Sequence, residues 1–407
     1  VYCVGDSTQS SVGTGTGAGA HSPHRMGVTT ITDQLRLHHQ MRSKVIAVAI
    51  KDRGSVLPGG HLANAAYWFE GGEKGHWISS SFYMDALPEW VMDFNASGAA
   101  ESYKRTWDPL KNINTYAESG MDDVPYESPF RGEAAPVFPH DLPTLWEGNG
   151  GFDILKPTPY GNSLTLDFAM EAIKAEELGA DIITDFLAIS FSSTDYVGHK
   201  FGVNSKEVQD TYMRLDQDLA RLLEYLDRNV GRGEYTVFLT SDHGAGQVPA
   251  YLRDLKVPAG YLKTGEIQKR FQEFLRFTYG RTDIIRGQSN NQIYLDHQIL
   301  NNLGLSLTEV QETLAAELLG YEGIHQVYTA YQMQSADYRD GMAAIVQNGF
   351  HQKRSGDVLI VPAPETPAYP PTGSTHGSPH IYDTHVPLIF FGKGVRKGES
   401  MRRTYIR

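Results

Sequence analysis

Three short polar clusters in this 407-residue chain carry side chains able to hold a divalent cation. The first reads Ser192-Ser193-Thr194-Asp195-Tyr196-Val197-Gly198-His199. Asp195 and His199 are four positions apart, so on a helical turn their side chains share a face. Zinc takes carboxylate oxygen and imidazole nitrogen readily. The second cluster is Ser241-Asp242-His243-Gly244, and the third is Gly373-Ser374-Thr375-His376-Gly377. Adjacent side chains such as Asp242 and His243 point to opposite sides of an extended strand, but a turn at a strand end can bring them together. The glycines around His376 allow close backbone approach. A further segment, Lys51-Asp52-Arg53-Gly54, offers an ammonium and a guanidinium, the groups that meet phosphoryl or carboxylate oxygens. Each cluster alone also has an ordinary reading, as a surface hydrogen bond, a capping turn or a solvated loop. Their joint occurrence after expected strands favours a metal site.

The elements that must position these residues are legible as a periodicity of apolar side chains. Residues 29–41 have a helical pattern, and 44–50 form a strand that ends at Lys51. Residues 71–159 show little periodicity and read as long connections with short elements. Asn162 or Ser163 can cap a helix running to Leu178, with Gly179 as its stop. A buried strand over 186–191 leads into the first cluster. The clearest helix carries Val208, Tyr212, Leu215, Leu219, Leu222, Leu223 and Leu226, with Asn204 and Glu207 as a capping box. Residues 235–240 form a buried strand that leads into Asp242.

After residue 250 the character changes. Ile267, Phe271, Phe274 and Leu275 mark one amphipathic helix, 292–295 a strand, and Val310, Leu314 and Leu318 another helix with Ser306 and Glu309 as its box. Residues 358–361 and 386–391 then return to buried core strands. Alternating strands and helices predict an α/β fold with a mostly parallel sheet. Ligands of such sheets gather at the carboxyl ends of the strands, where all these clusters lie. The core is expected over 1–250 and 341–407, with an inserted α+β subdomain over 251–340.

Composition narrows the class further. Hydrophobic types make up 40% of the chain, enough for a large core. Lys+Arg number 36 against 48 Asp+Glu, a formal charge of -12, which argues against a nucleic-acid scaffold as partner. A small anionic substrate remains compatible with a local cationic patch. The single cysteine, Cys3, permits neither an internal disulfide nor a Cys-based metal cluster, so any transition-metal site must draw on carboxylates and the 15 histidines. No apolar run reaches the ~18 residues of a membrane span.

The motifs Ser193-Thr194-Asp195-Tyr196-x-Gly198-His199, Thr240-x-Asp242-His243-Gly244 and Thr375-His376-Gly377 resemble the metal-binding signature of the type I phosphodiesterase/nucleotide pyrophosphatase family, part of the alkaline phosphatase superfamily. Ser43-Lys-Val-Ile, Ala49-Ile-Lys-Asp-Arg-Gly and Thr158-Pro-Tyr-Gly-Asn extend the likeness, and are similar to the bacterial alkaline phosphatases of that family with a threonine nucleophile. The resemblance implies a three-layer α/β/α alkaline-phosphatase-like core and a periplasmic or secreted enzyme. Its substrate is a small phosphate ester. Asp195, His199 and His376 would bind one zinc, and Asp242 and His243 a second. Two zincs roughly 4 Å apart suit in-line phosphoryl transfer through a covalent phospho-enzyme. Lys51 and Arg53 would contact the phosphoryl oxygens, with Asp52 as a structural partner. The alternatives are a phosphodiesterase or nucleotide pyrophosphatase, and, in another class, a non-catalytic metal- or phosphate-binding protein.

In the family, an Asp ligand of the second zinc, the threonine nucleophile and an Asn phosphate contact precede the segments matched here. The chain, which opens at Val1, is therefore expected to begin after them. Thr14 and Thr16 in the glycine-rich run are not assigned as nucleophile. The expectation for the 407 residues alone is one tight zinc, a weak second one, poor ester hydrolysis, an unpaired sheet edge and low solubility. His21 and His24 read as loop residues. His61, His380 and His385 read as supporting or structural ones.

Overall fold

The computed structural model describes residues 2–400; Val1 and residues 401–407, which the core assignment above includes, lie outside the described residues. Contacts divide the chain into two units, Val1–Phe238 with Phe390–Val395, and Leu239–Ile389 with Arg396–Arg407.

The first unit is built on five strands: β1 (Ser11–Val12), β2 (Val45–Ala49), β3 (Ala65–Glu70), β4 (His76–Ser80) and β5 (Phe186–Ser190). Their order is β1-β4-β3-β2-β5. β2 runs parallel to β3 and β5, while β4 and β1 add antiparallel pairs at one side. β2 is apolar at every position and wholly buried, the pattern of a strand covered on both faces. Ile46, Val48, Tyr67 and Phe69 face one core with Leu164 and Phe168 of the Pro159–Ala175 helix. Trp77 stacks on Phe168 with centroids 4.3 Å apart. Ala47, Ala66 and Trp68 face the other core with Val56 of the Asp52–Gly59 helix. The sheet thus has helices on both faces, the three-layer α/β arrangement expected.

Several boundaries move. The helix expected from residue 162 starts at Pro159, with Thr158 at the N-cap position, and ends at Ala175. Proline is pre-organised for the first helical turn, so Asn162 lies inside the helix and is available for another task. The helix over Lys206–Leu226 is capped by Ser205, whose hydroxyl accepts from the Val208 amide, rather than by Asn204. Helix Ile31–His38 carries a capping box, Thr30 with Asp33, that the periodicity did not reveal. β3 and β4 were not recognised in the sequence either, because their aromatic residues lie in a stretch rich in turns.

Gly161 explains part of the Thr158-Pro-Tyr-Gly-Asn segment. A Cβ there would stand 2.2 Å from Ser193 Oγ and 2.6 Å from Ile50 Cδ1. Gly161→Ala is therefore expected to lose about 1–3 kcal/mol through overpacking, more than an alanine gains in helix propensity. Urea unfolding measures the loss; an unchanged midpoint would mean that the neighbouring helix moves at no cost.

The second unit holds a small antiparallel sheet, formed by β7 (Ile285–Ser289), β8 (Gln292–Leu295), β9 (Ile324–Thr329) and β10 (Val358–Pro362) in the order β7-β8-β10-β9. Phe271 and Leu275 of the Thr264–Tyr279 helix pack with Val310, Leu314 and Leu318 of the Leu307–Leu319 helix, as their spacing predicts. Ser306 caps the latter by accepting from the Glu309 amide. β10 corrects the sequence reading. It pairs with β8 and β9 instead of returning to the parallel core, because apolarity marks a strand without naming its partner.

β6 (Thr236–Thr240) and β11 (Leu388–Gly392) form a two-stranded sheet. Both were expected to be buried. Phe238, Leu388, Ile389, Phe390 and Phe391 are instead exposed, and β5, the last strand of the five, is only half-buried. An apolar strand is buried only where another layer or strand covers it, which its own composition cannot supply.

Candidate active site

In the first unit, the parallel pairing of β2 and β5 places Ala49 opposite Ser190, so both chains leave the sheet at the same end. β2 continues into the Asp52–Gly59 helix, with Lys51 at the N-cap position. β5 continues into the Ser193–Phe201 helix, which carries Asp195 and His199 one turn apart. Asn162 fixes the start of that helix: its Oδ1 accepts from the Ser193 amide at 3.1 Å, and its Nδ2 donates to Thr194 Oγ1 at 3.0 Å.

Asp195 divides its two oxygens. Oδ2 accepts from the Lys51 ammonium, and Oδ1 faces His199 Nε2 at 3.3 Å. Two ligands of a tetrahedral zinc, each about 2.0–2.1 Å from the ion, stand about 3.3 Å apart. This carboxylate–imidazole pair therefore fits the metal as donors. Lys51 also lies over the Tyr196 ring, 4.5 Å from its centroid, a cation–π contact that helps hold the ammonium at the strand end.

Arg53 lies in the first turn of its helix. Its Nη1 donates to the Tyr2 hydroxyl at 3.4 Å. The same hydroxyl donates to Asp52 Oδ1, and His21 Nε2 meets Asp52 Oδ2 at 3.0 Å. Burial opposes the charge on Asp52, but the hydrogen bonds from His21 and Tyr2 outweigh it and hold the carboxyl below its ordinary range. The Tyr2 phenol is pushed up to about 12, by burial first and then by its bond to Asp52. His21 was expected to be a plain loop residue and Tyr2 drew no notice. Nothing in sequence spacing links either to a residue some thirty or fifty positions on. Thr16 donates its hydroxyl to Glu70, and Thr14 lies in the same exposed loop.

In the second unit, the chain beyond β6 runs beside residues 375–383. Gly246 N donates to the Thr375 carbonyl at 3.0 Å and Gly244 N to the Asp383 carbonyl at 2.8 Å. A Cβ on Gly244 would meet the Tyr382 carbonyl at 2.0 Å, so only glycine permits this approach. The approach brings the His243 and His376 rings together, with centroids 3.4 Å apart and planes at 14°. His243 Nδ1 bonds the Gly244 carbonyl at 2.8 Å, and Nε2 faces Asp242 Oδ2 at 3.5 Å. A backbone carbonyl bonded to one ring nitrogen fixes the imidazole so that the other can face a cation. Three of the other histidines hold structure: His61 bridges Asp33 and the Met26 carbonyl, His24 pairs with Asp6, and His380 bonds the Pro362 carbonyl. His385 follows the short Ile381–Thr384 helix as its C-cap.

The parallel strand pair thus ends in a carboxylate, an imidazole and an ammonium, donors that could hold a divalent cation next to an anion. The family described as type I phosphodiesterase / nucleotide pyrophosphatase matches residues 26–383, and the chain belongs to it. Among individual relatives, alkaline phosphatase PhoV of Synechococcus elongatus is 41% identical over 415 residues, covering 100% of this chain and 73% of that one. A Myroides odoratus protein named a calcium-transporting ATPase is 42% identical over 411 residues, covering 100% of this chain and 75% of its own. A crystal structure of alkaline phosphatase PafA, a protein known from Elizabethkingia meningoseptica, superposes with a TM-score of 0.93 at 39% identity. That match covers 99% of this chain and 77% of the other. The fold is thus alkaline-phosphatase-like. Among the described residues no helix is long and apolar enough to cross a membrane.

Proposed function

We propose that this protein is a zinc-dependent phosphate monoesterase acting on small phosphate esters in the periplasm or outside the cell. The observation that carries the reading is the meeting of Lys51 with the Asp195–His199 pair at the ends of adjacent parallel strands, in a chain whose relatives include alkaline phosphatases. Asp195, His199 and His376 are assigned to one zinc by the family resemblance, and Asp242 and His243 to a second. Zinc, when bound, supplies Lewis acidity for the attacking and leaving oxygens of an in-line transfer. The family's route is a covalent phospho-enzyme on a threonine hydroxyl, a role given to no residue of this chain.

The chain's own groups have separable tasks. Asp195 and His199 present one oxygen and one nitrogen on a single helical face. Lys51, drawn to the same carboxylate, brings an ammonium to the place where phosphoryl oxygens would lie. Arg53 adds a planar fork suited to two of those oxygens. A monoester dianion has one more charged oxygen than a diester and gains more from both cations.

The test uses protein expressed from the complete gene. Metal analysis should find zinc, chelation should remove activity on p-nitrophenyl phosphate, and zinc should restore it. Arg53→Ala should lower monoester kcat/KM by about 10²–10³-fold, the scale of one lost charged contact in a transition state. Diester hydrolysis should fall far less. Equal losses on both substrates would favour the phosphodiesterase reading, and zinc binding without turnover would favour a binding protein.

A further inference from the structure

Asp52 sits between Lys51 and Arg53, where a carboxylate would ordinarily neutralise the guanidinium. Here both of its oxygens are taken elsewhere. Oδ1 accepts from the Tyr2 hydroxyl and, at 2.5 Å, from the Arg53 backbone amide, while Oδ2 meets His21 Nε2 at 3.0 Å. Among the described residues, the Arg53 guanidinium makes one hydrogen bond, the 3.4 Å contact to the Tyr2 oxygen. A guanidinium has five N–H donors, so most of the fork is available for an anion.

We propose that Tyr2 and His21 are positioning residues for Arg53, holding Asp52 away from its guanidinium so that the fork is presented to the dianionic phosphoryl group. Four observations support the assignment. The Tyr2 hydroxyl reaches across 50 positions of chain to bond both Asp52 and Arg53. Its single oxygen donates to the carboxylate and accepts from the guanidinium, which fixes the arginine without spending the charge of either. His21 is held against Asp52 on several sides: its backbone bridges Gly5, and its ring lies 5.7 Å from both Tyr2 and Trp68. The phenol stays protonated through the alkaline range because burial and Asp52 raise its pKa to about 12, so the donor persists where a phosphatase works. The alternative, a carboxylate paired directly to Arg53, would leave less of the guanidinium charge for substrate.

The inference rests on the reading of Arg53 as a phosphoryl contact, and a double-mutant cycle separates the two. Tyr2→Phe, His21→Gln, Arg53→Ala and each pair with Arg53→Ala are made in protein expressed from the complete gene. Their kcat/KM is measured on p-nitrophenyl phosphate and on bis-p-nitrophenyl phosphate. Tyr2→Phe should lower monoester hydrolysis about 5–10-fold, the scale of one ordinary hydrogen bond. It should leave diester hydrolysis within about two-fold, and its effect should vanish in the Arg53→Ala background. His21→Gln should follow the same pattern more weakly. The proposal is overturned if Tyr2→Phe leaves the monoester unchanged, lowers both substrates alike, or acts equally in the Arg53→Ala background. If Arg53→Ala itself lowers both substrates alike, the parent reading falls and this one with it. A selective Arg53→Ala with a silent Tyr2→Phe removes this inference alone.

Discussion

Asp195→Asn is expected to lose the bound metal and about 10³-fold or more in phosphatase kcat/KM. The side chain keeps its shape, so the expectation isolates charge. Asp195 serves Lys51 through one oxygen and stands 3.3 Å from His199 through the other. An amide is a poor zinc donor, and its nitrogen would face either the ammonium or the imidazole. Losing a metal's stabilisation of developing charge removes several kcal/mol, and about 4 kcal/mol already corresponds to 10³ in rate. Zinc content and p-nitrophenyl phosphate turnover are read on the same preparation. Full zinc content with normal turnover would remove Asp195 from the ligand set.

Glu127→Gln should stabilise the fold on the order of 2–4 kcal/mol at pH 8–9. Glu127 is buried in the first unit, and among the described residues its Oε2 has no hydrogen-bond partner. Burial, followed by the nearby carboxylates Glu207, Asp122 and Asp123, raises its pKa to about 10, against a partial opposing effect of Lys206. The folded state therefore holds the proton, whereas the unfolded chain releases it above a pKa of about 4.5. Stability from this group is complete below about pH 4.5 and is lost progressively as pH rises toward 10. Glutamine mimics the protonated form, so its advantage should grow with pH across that window and vanish near pH 4. Urea midpoints of both proteins from pH 4.5 to 9 test the slope. A variant less stable at every pH would mean that the carboxylate is ionised in the fold.

The same region holds a buried imidazole between two carboxyl groups. His140 is fully buried between Glu133, at 2.7 Å, and Glu207, at 3.3 Å. Burial opposes its proton, but the hydrogen bonds it makes to both carboxylates outweigh burial and raise its pKa. No spacing rule pointed to this triad, because its members come from an irregular stretch and from a helix whose Glu207 had been read as half of a capping box.

Local elements and local chemistry follow from residue spacing. β2, with five apolar residues in a row, reads as a strand suited to burial on both faces, and Asp195 and His199 share a face because a helix repeats near four residues. Close backbone approach is expected of the glycines around His376, yet it is Gly244 that meets the Tyr382 carbonyl, while a Cβ on Gly377 would have nothing within 4 Å. Tertiary structure alone decided which elements became neighbours. It set Lys51 beside Asp195 by pairing β2 with β5, sent β10 to the antiparallel sheet, and left β6 and β11 exposed. It also brought Tyr2 and His21 to Asp52 across long stretches of chain. The physical reason is the range of the interactions: hydrophobic periodicity and capping act within a few residues and so leave a trace in local spacing. Strand pairing and side-chain hydrogen bonds between distant segments depend on loop closure and on which surfaces remain to be covered. An apolar pentapeptide reports a strand suited to burial, but neither what covers it nor whether anything does.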